Sequence, residues 1–116
     1  MIMEKEEVIN GILHLLQVTA PTFDGLGHTF LQIREFLKLN NVQGYSEDDK
    51  SSILRLRELL DEMEEENFIE ERHFEEKYNG RVDYALEQKG IELIEKIRKE
   101  AKVKGVKLDD KWKLID

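Results

Sequence analysis

The sequence lacks cysteine altogether and contains a single proline among its 116 residues. Without cysteine, the chain has neither disulfides nor thiolate metal sites. It has no long apolar run, so the sequence predicts no membrane span. The acidic start of the chain also lacks the basic segment and apolar block of a signal peptide. We therefore expect a cytoplasmic protein.

What is present fits one small domain with an uneven charge distribution. The length and a hydrophobic content of 40% predict a single domain over residues 1–116. Residues 46–76 hold thirteen acids against four bases, a balance of −9, whereas residues 96–113 hold eight bases against three acids, a balance of +5. The total of −8 argues against indiscriminate coating of nucleic acid. It leaves specific DNA binding open, because only the contacting face has to be positive.

Helical periodicity accounts for most of the chain. Apolar residues recur at spacings of three and four in four segments, which predicts helices at about residues 4–18, 29–39, 46–67 and 88–102. Thr29 with Gln32 forms a capping-box pattern at the start of the second helix. Ser46 with Asp49 forms a similar pattern, so we expect the third helix to start near Ser46.

The segment between the third and fourth helices carries a hairpin signal. Asn79-Gly80 separates two extended runs, and the second run alternates at residues 82–86. A three-residue loop, 78–80, places Phe74 opposite Tyr84, and we prefer it to a two-residue loop that leaves Phe74 on the wrong face. The predicted fold is therefore mainly α with a small β-hairpin, in the order α-α-α-β-β-α. One continuous helix over residues 47–78 is the competing interpretation.

Two stretches resemble winged helix-turn-helix regulators of the MarR and PadR type. Residues 59–69 (LLDEMEEENFI) resemble the end of a recognition helix entering the first wing strand, with Asn67 where that group usually has a left-handed glycine. Residues 81–90 (RVDYALEQKG) resemble the second wing strand, with Glu87 in place of the usual threonine cap. The resemblance covers about residues 28–97 and implies a single winged-helix domain.

The resemblance also implies sequence-specific binding of double-stranded DNA by a transcriptional regulator. In such domains the third helix enters the major groove, and the candidate contacts here are Ser46, Lys50, Ser51, Ser52, Arg55 and Arg57. We expect Arg55 to be the main base contact, because a guanidinium grips guanine through two hydrogen bonds. At the hairpin tip, Lys77, Asn79 and Arg81 are the candidates for phosphate or minor-groove contact. The alternative for both sets of residues is that they are solvated surface residues without a binding role.

Regulators of this type dimerise, and two helices are candidates for that contact. Residues 4–18 and 88–102 carry more apolar surface than one helix-turn-helix core needs, so we expect a homodimer through them. No motif marks a pocket for a small effector or a cofactor.

The residues offer little for catalysis or metal binding. The three histidines, His14, His28 and His73, fall on three different predicted elements. Glu70-x-x-His73 has the spacing of half a di-iron motif but has no second copy and lies in a predicted strand. We therefore expect a protein that is not an enzyme and has no metal site.

An alternative function uses the same fold without DNA. The −9 balance across the third helix and hairpin favours a winged-helix module that binds another protein. The position of the acids around Arg55 distinguishes the two hypotheses.

Overall fold

The computed structural model of the protein describes residues 4–18, 27–75, 80–105 and 111–113. Its elements are α1 (Lys5–Val18), α2 (Phe30–Leu39), α3 (Lys50–Glu65), β1 (Ile69–His73), β2 (Val82–Leu86) and α4 (Gln88–Val103). This order confirms the prediction of a mainly helical chain with a hairpin. It excludes one continuous helix over residues 47–78, because β1 lies within that range. Within the described ranges, no helix is both long and apolar enough to cross a membrane.

The centre of the core is α1, which is covered from several sides. Nearly every residue from Val8 to Leu16 is buried. Trp112 lies across α1 at Gly11 and stacks obliquely on Phe36 of α2, with 5.5 Å between the ring centroids. The Asn40 side chain holds this segment through hydrogen bonds of 2.8 Å to the backbone N–H and carbonyl of Lys113. The C-terminal tryptophan is therefore part of the main core.

The predicted ends of α2 are confirmed. Thr29 caps the helix by accepting from the Gln32 backbone N–H, and the Gln32 side chain accepts from the Thr29 backbone N–H. This capping box satisfies two backbone donors at once. Asn40 caps the other end, and Asn41 adopts a left-handed backbone with φ 54°.

The predicted start of α3 is wrong, whereas its end is confirmed. The helix begins at Lys50, and Asp49 caps it by accepting a 2.8 Å bond from the Ser52 backbone N–H. Ser46 lies earlier, in the turn after α2, where its hydroxyl donates to the Val42 carbonyl. At the other end Asn67 has φ 63°, the left-handed conformation expected for that position.

The hairpin forms, but in a register that neither predicted loop gives. Tyr84 pairs with Glu71, and the Phe74 N–H donates to the carbonyl of Arg81 instead of facing Tyr84. Two contacts account for this register: buried Ile69 pairs with Leu86, and Asp83 lies opposite Arg72, with which it forms an ion pair. Gly80 is left-handed, with φ 63°, as predicted.

A short bridge adds a third strand position beside β2. His28 and Tyr84 exchange backbone hydrogen bonds of 3.2 and 2.8 Å, which ties the segment before α2 to the free edge of β2. Three consecutive residues of β2, residues 83–85, are buried, so both faces of this strand are covered at its centre. This burial overrides the simple alternation of faces that its sequence predicts.

Candidate nucleic-acid interface

The turn between α2 and α3 is built from its own side chains. The Glu47 carboxylate accepts the Gly44 backbone N–H at 2.8 Å and the Ser52 hydroxyl at 3.0 Å. Ser46 is 8% exposed and bonds to the backbone inside the same turn. Ser46 and Ser52 therefore order the turn from within, and neither of these two predicted DNA contacts lies on the surface.

The other four predicted contacts on α3 are exposed. Lys50, Ser51, Arg55 and Arg57 all lie on the side of the helix away from the core. The Arg55 Nη1 donates to the Gly44 carbonyl at 2.6 Å, which holds the side chain over the turn. A guanidinium has five N–H donors, and this contact uses one of them. The Arg57 guanidinium stacks over the Phe30 ring, 4.7 Å from its centroid.

Acidic side chains border this cationic surface at the start of α3. Asp48 forms ion pairs with Arg34 at 2.9 Å and with Lys38 at 2.8 Å. The hydrogen bond from Lys38 is the main cause of the lowered pKa of Asp48, and the Gly44 N–H is the main cause of the lowered pKa of Glu47. Both carboxylates are therefore ionised at neutral pH, and each is engaged within the protein.

Charge is divided sharply along α3. Residues 50–57 hold three bases and no acid, whereas residues 58–65 hold five acids and no base. The helix dipole favours the opposite arrangement, with acids in the first turn and bases in the last. Residues 30–57, from α2 to the middle of α3, hold five bases and four acids, a balance of +1. The acids within α3 thus all follow Arg55 along the helix, whereas Glu47, in the turn before α3, contacts the same residue, Gly44, as Arg55 does.

Of the predicted wing residues, only Arg81 lies within the described residues, whereas Lys77 and Asn79 lie outside them. Arg81 points inward instead of toward the tip: its Nη2 donates to the Gly27 carbonyl at 2.7 Å, and its Nε lies 3.6 Å from the Asp83 carboxylate. The attraction of a buried carboxylate explains the inward orientation, since a charge in the interior needs a partner. Arg81 is therefore engaged within the chain, and its contact with DNA stays a prediction.

Asp83 is the residue that sequence reasoning missed. It is fully buried and accepts hydrogen bonds of 2.8 and 3.1 Å from Arg72 and one of 2.8 Å from the Gly27 N–H. These bonds fix the root of the hairpin to the segment before α2. Beside them, burial lowers the pKa of His28. An acid between two apolar positions of a strand, Val82 and Tyr84, was the available signal.

The surfaces proposed for dimerisation differ from expectation. The main apolar stripe of α1 is covered within the chain by α4 and Trp112. At its centre, Arg98 of α4 donates to Nδ1 of buried His14 at 2.8 Å. What remains between the two helices is a groove of about 570 Å³, floored by apolar side chains and rimmed by charged ones; its apolar residues are Ile9, Phe68, Leu93, Ile97 and Ala101.

The described part of the chain has no cluster of side chains that could bind a metal ion. No cluster of three histidine, aspartate or glutamate side chains there has a geometry that fits a metal ion. Glu70 and His73 both lie in β1, so the helical spacing that a di-iron half-motif needs is not formed.

Comparison with known proteins returns no relative. No protein-family model matches the chain, and it matches no curated protein and no solved structure. Function must therefore be argued from the residues and their geometry.

Proposed function

We propose that the chain is a winged-helix domain that binds duplex DNA through α3 and regulates transcription in the cytoplasm. The order of three helices, hairpin and fourth helix supports this fold, as does the bridge between His28 and Tyr84 that adds a strand position between α1 and α2. The turn held by Glu47 and Ser46 sets α3 beside α2 with its first half outward.

One observation carries the proposal: the reversed charge of α3. Its first half presents three cations outward, and one of them, Lys50, lies in the first turn, where the helix dipole favours anions such as the cap Asp49. Its last turn presents acids where the dipole favours cations, and each misplaced charge in these two turns costs about 0.3–1 kcal/mol of helix stability. Sequences break a local rule of this kind mostly at functional sites. A polyanion bound at the first half of α3 would offset this cost, because its negative charge attracts the cations there.

The geometry divides the roles of the exposed cations. Arg55 lies over the turn and has donors left for a guanine, whereas Arg57 is stacked on Phe30 and is better placed for phosphate. Lys50, in the first turn of α3, is a second phosphate contact. Base recognition thus rests mainly on Arg55.

The test is fluorescence anisotropy with a duplex selected from a random pool. Arg55→Ala should weaken binding by about 1–3 kcal/mol and relax the preference at one base pair. The matched control is Lys99→Ala, which removes an exposed cation of α4 away from α3. Equal affinities of both variants and the wild type would refute Arg55 as the base contact.

We further propose that the protein acts as a homodimer, with the groove between α1 and α4 as the contact. The apolar floor of the groove supports this contact. Most other apolar side chains of α1 are already buried within the chain, so the groove is the apolar surface that α1 still offers to a second copy. Light scattering at micromolar concentration gives the mass directly. A mass of one chain would contradict the dimer and would leave the DNA contact of a single domain unaffected.

A second candidate function is a protein-binding module on the same fold. Leu31 and Leu54 are exposed leucines on α2 and α3, and the second half of α3 is uniformly acidic. Such a surface suits a basic protein partner. In that case the selection from a DNA pool returns no enriched sequence, and no duplex binds even at low salt.

A further inference from the structure

An exposed leucine occupies the middle of the cationic half of α3. Leu54 is 49% exposed, and the buried residues of the helix lie on its opposite side. Single exposed leucines are common on protein surfaces, so exposure alone says little. Its position is more specific. Lys50 lies one turn before it and Arg57 one turn after it, and residues at these spacings are neighbours on one helix face.

A stripe of cation, leucine and cation fits the major groove of DNA. Flanking cations reach phosphates, and the central side chain then meets the edges of the base pairs. A leucine neither donates nor accepts hydrogen bonds, so it matches an apolar group on the groove floor. In unmodified DNA that group is the C5-methyl of thymine.

We propose that Leu54 recognises a thymine by packing against its C5-methyl group; this rests on the proposed binding of DNA through α3. The contact adds a second base position to the one assigned to Arg55. Both side chains lie on the outward half of α3, at consecutive positions and therefore pointing in different directions around the helix axis. They contact different base pairs. The preferred site then contains a thymine next to, or close to, a guanine.

The experiment removes the methyl group from the DNA and changes nothing else. A duplex is selected from a random pool with the wild-type protein, and each thymine in turn is replaced by uracil. We expect one replacement to weaken wild-type binding about fourfold, the effect of one buried methylene-sized group. All other replacements should leave the affinity within about twofold.

Two variants assign the effect to a side chain. Leu54→Ala should bind more weakly and should no longer distinguish thymine from uracil at the sensitive position. Leu31→Ala is the matched control, since Leu31 is 59% exposed on α2, outside the stripe, and this variant should keep the wild-type discrimination. Both side chains are exposed, and far-UV circular dichroism verifies that each variant is folded.

The outcomes separate this inference from the function on which it rests. If the wild type binds every uracil duplex as tightly as the thymine duplex, or if Leu54→Ala keeps the discrimination, the contact is refuted while DNA binding stands. If the wild type binds no duplex at low salt, both the contact and the DNA-binding function are refuted.

Discussion

Replacing Trp112 by alanine tests whether the end of the chain belongs to the core. Trp112 is only 2% exposed and contacts both α1 at Gly11 and Phe36 of α2. Truncating a large buried aromatic residue costs about 3–5 kcal/mol. Since small domains have about 5–15 kcal/mol in total, Trp112→Ala should remove a large part of the stability. With a urea dependence of about 1–3 kcal/mol per molar, the unfolding midpoint should fall by roughly 1–5 M.

A second substitution makes this prediction specific to the contact with α1. A Cβ at Gly11 would lie 2.5 Å from the Trp112 ring, so Gly11→Ala should destabilise the wild type. In the Trp112→Ala background the clash is gone, and alanine is favoured over glycine in a helix by about 1 kcal/mol. There the same substitution should stabilise the protein.

Urea unfolding followed by far-UV circular dichroism suits all variants, because the only tryptophan is removed in some of them. Lys111→Ala is the control: its ion pair with Glu7 is exposed and should contribute less than about 1 kcal/mol. If the unfolding free energy of Trp112→Ala lies within about 1 kcal/mol of the wild type, Trp112 is not part of the core. If Gly11→Ala has the same effect in both backgrounds, Trp112 does not pack against Gly11.

Three further predictions concern the hairpin root and the turn before α3. Asp83→Asn should lower the free energy of unfolding by about 2 kcal/mol in urea, since it leaves the partly exposed Arg72 without its buried carboxylate; an unchanged midpoint would refute this role. Burial lowers the pKa of His28, so its neutral form contributes stability that is complete above about pH 6.5 and is lost as the pH falls below that value. The loss of unfolding free energy between pH 7.5 and 5.5 should therefore be smaller in His28→Gln than in the wild type, whereas exposed His73→Gln should keep the wild-type loss; equal losses in all three would contradict the assignment. Gly44→Ala should cost about 1–2 kcal/mol in thermal unfolding, because φ is +91° there and the new Cβ meets Arg55; no loss would show that the turn relaxes freely.

The sequence predicts the local structure of this chain well where local interactions decide it. Short-range patterns give the capping box of Thr29 and Gln32 and the left-handed Asn67 and Gly80. They also give the order of the helices and strands in the described residues. The start of α3 does not follow from them, because Ser46 and Asp49 are both good caps. The hydrogen bond from Ser46 to Val42 decides between them, and it forms only once the turn is folded.

The strand register could not be predicted from the sequence, because contacts between distant segments determine it. An isolated hairpin favours the pairing of Phe74 with Tyr84, but Tyr84 also pairs with His28 on its other edge. Asp83 and Arg72, which look like surface charges in the alternating pattern, form the buried ion pair that fixes the alignment. Contacts between distant segments therefore override the two-stranded pattern.

The candidate interface was predictable only in part. Helical periodicity places Lys50, Ser51, Arg55 and Arg57 on the outside of α3. The same periodicity places Ser52 inside, because it lies four residues before buried Leu56. Dimerisation through α1 and α4 stays a prediction. The cover that Trp112 gives to α1 could not be predicted, because no local pattern links Trp112 to α1.

The salt dependence of binding to duplex DNA tests the central claim most directly. If the first half of α3 contacts phosphates, the logarithm of the binding constant should fall linearly with the logarithm of the salt concentration, with a slope of about −2 or steeper. Lys50→Ala should make that slope shallower by about one. An affinity that does not change with salt, or no binding at low salt, would contradict the binding of duplex DNA through α3.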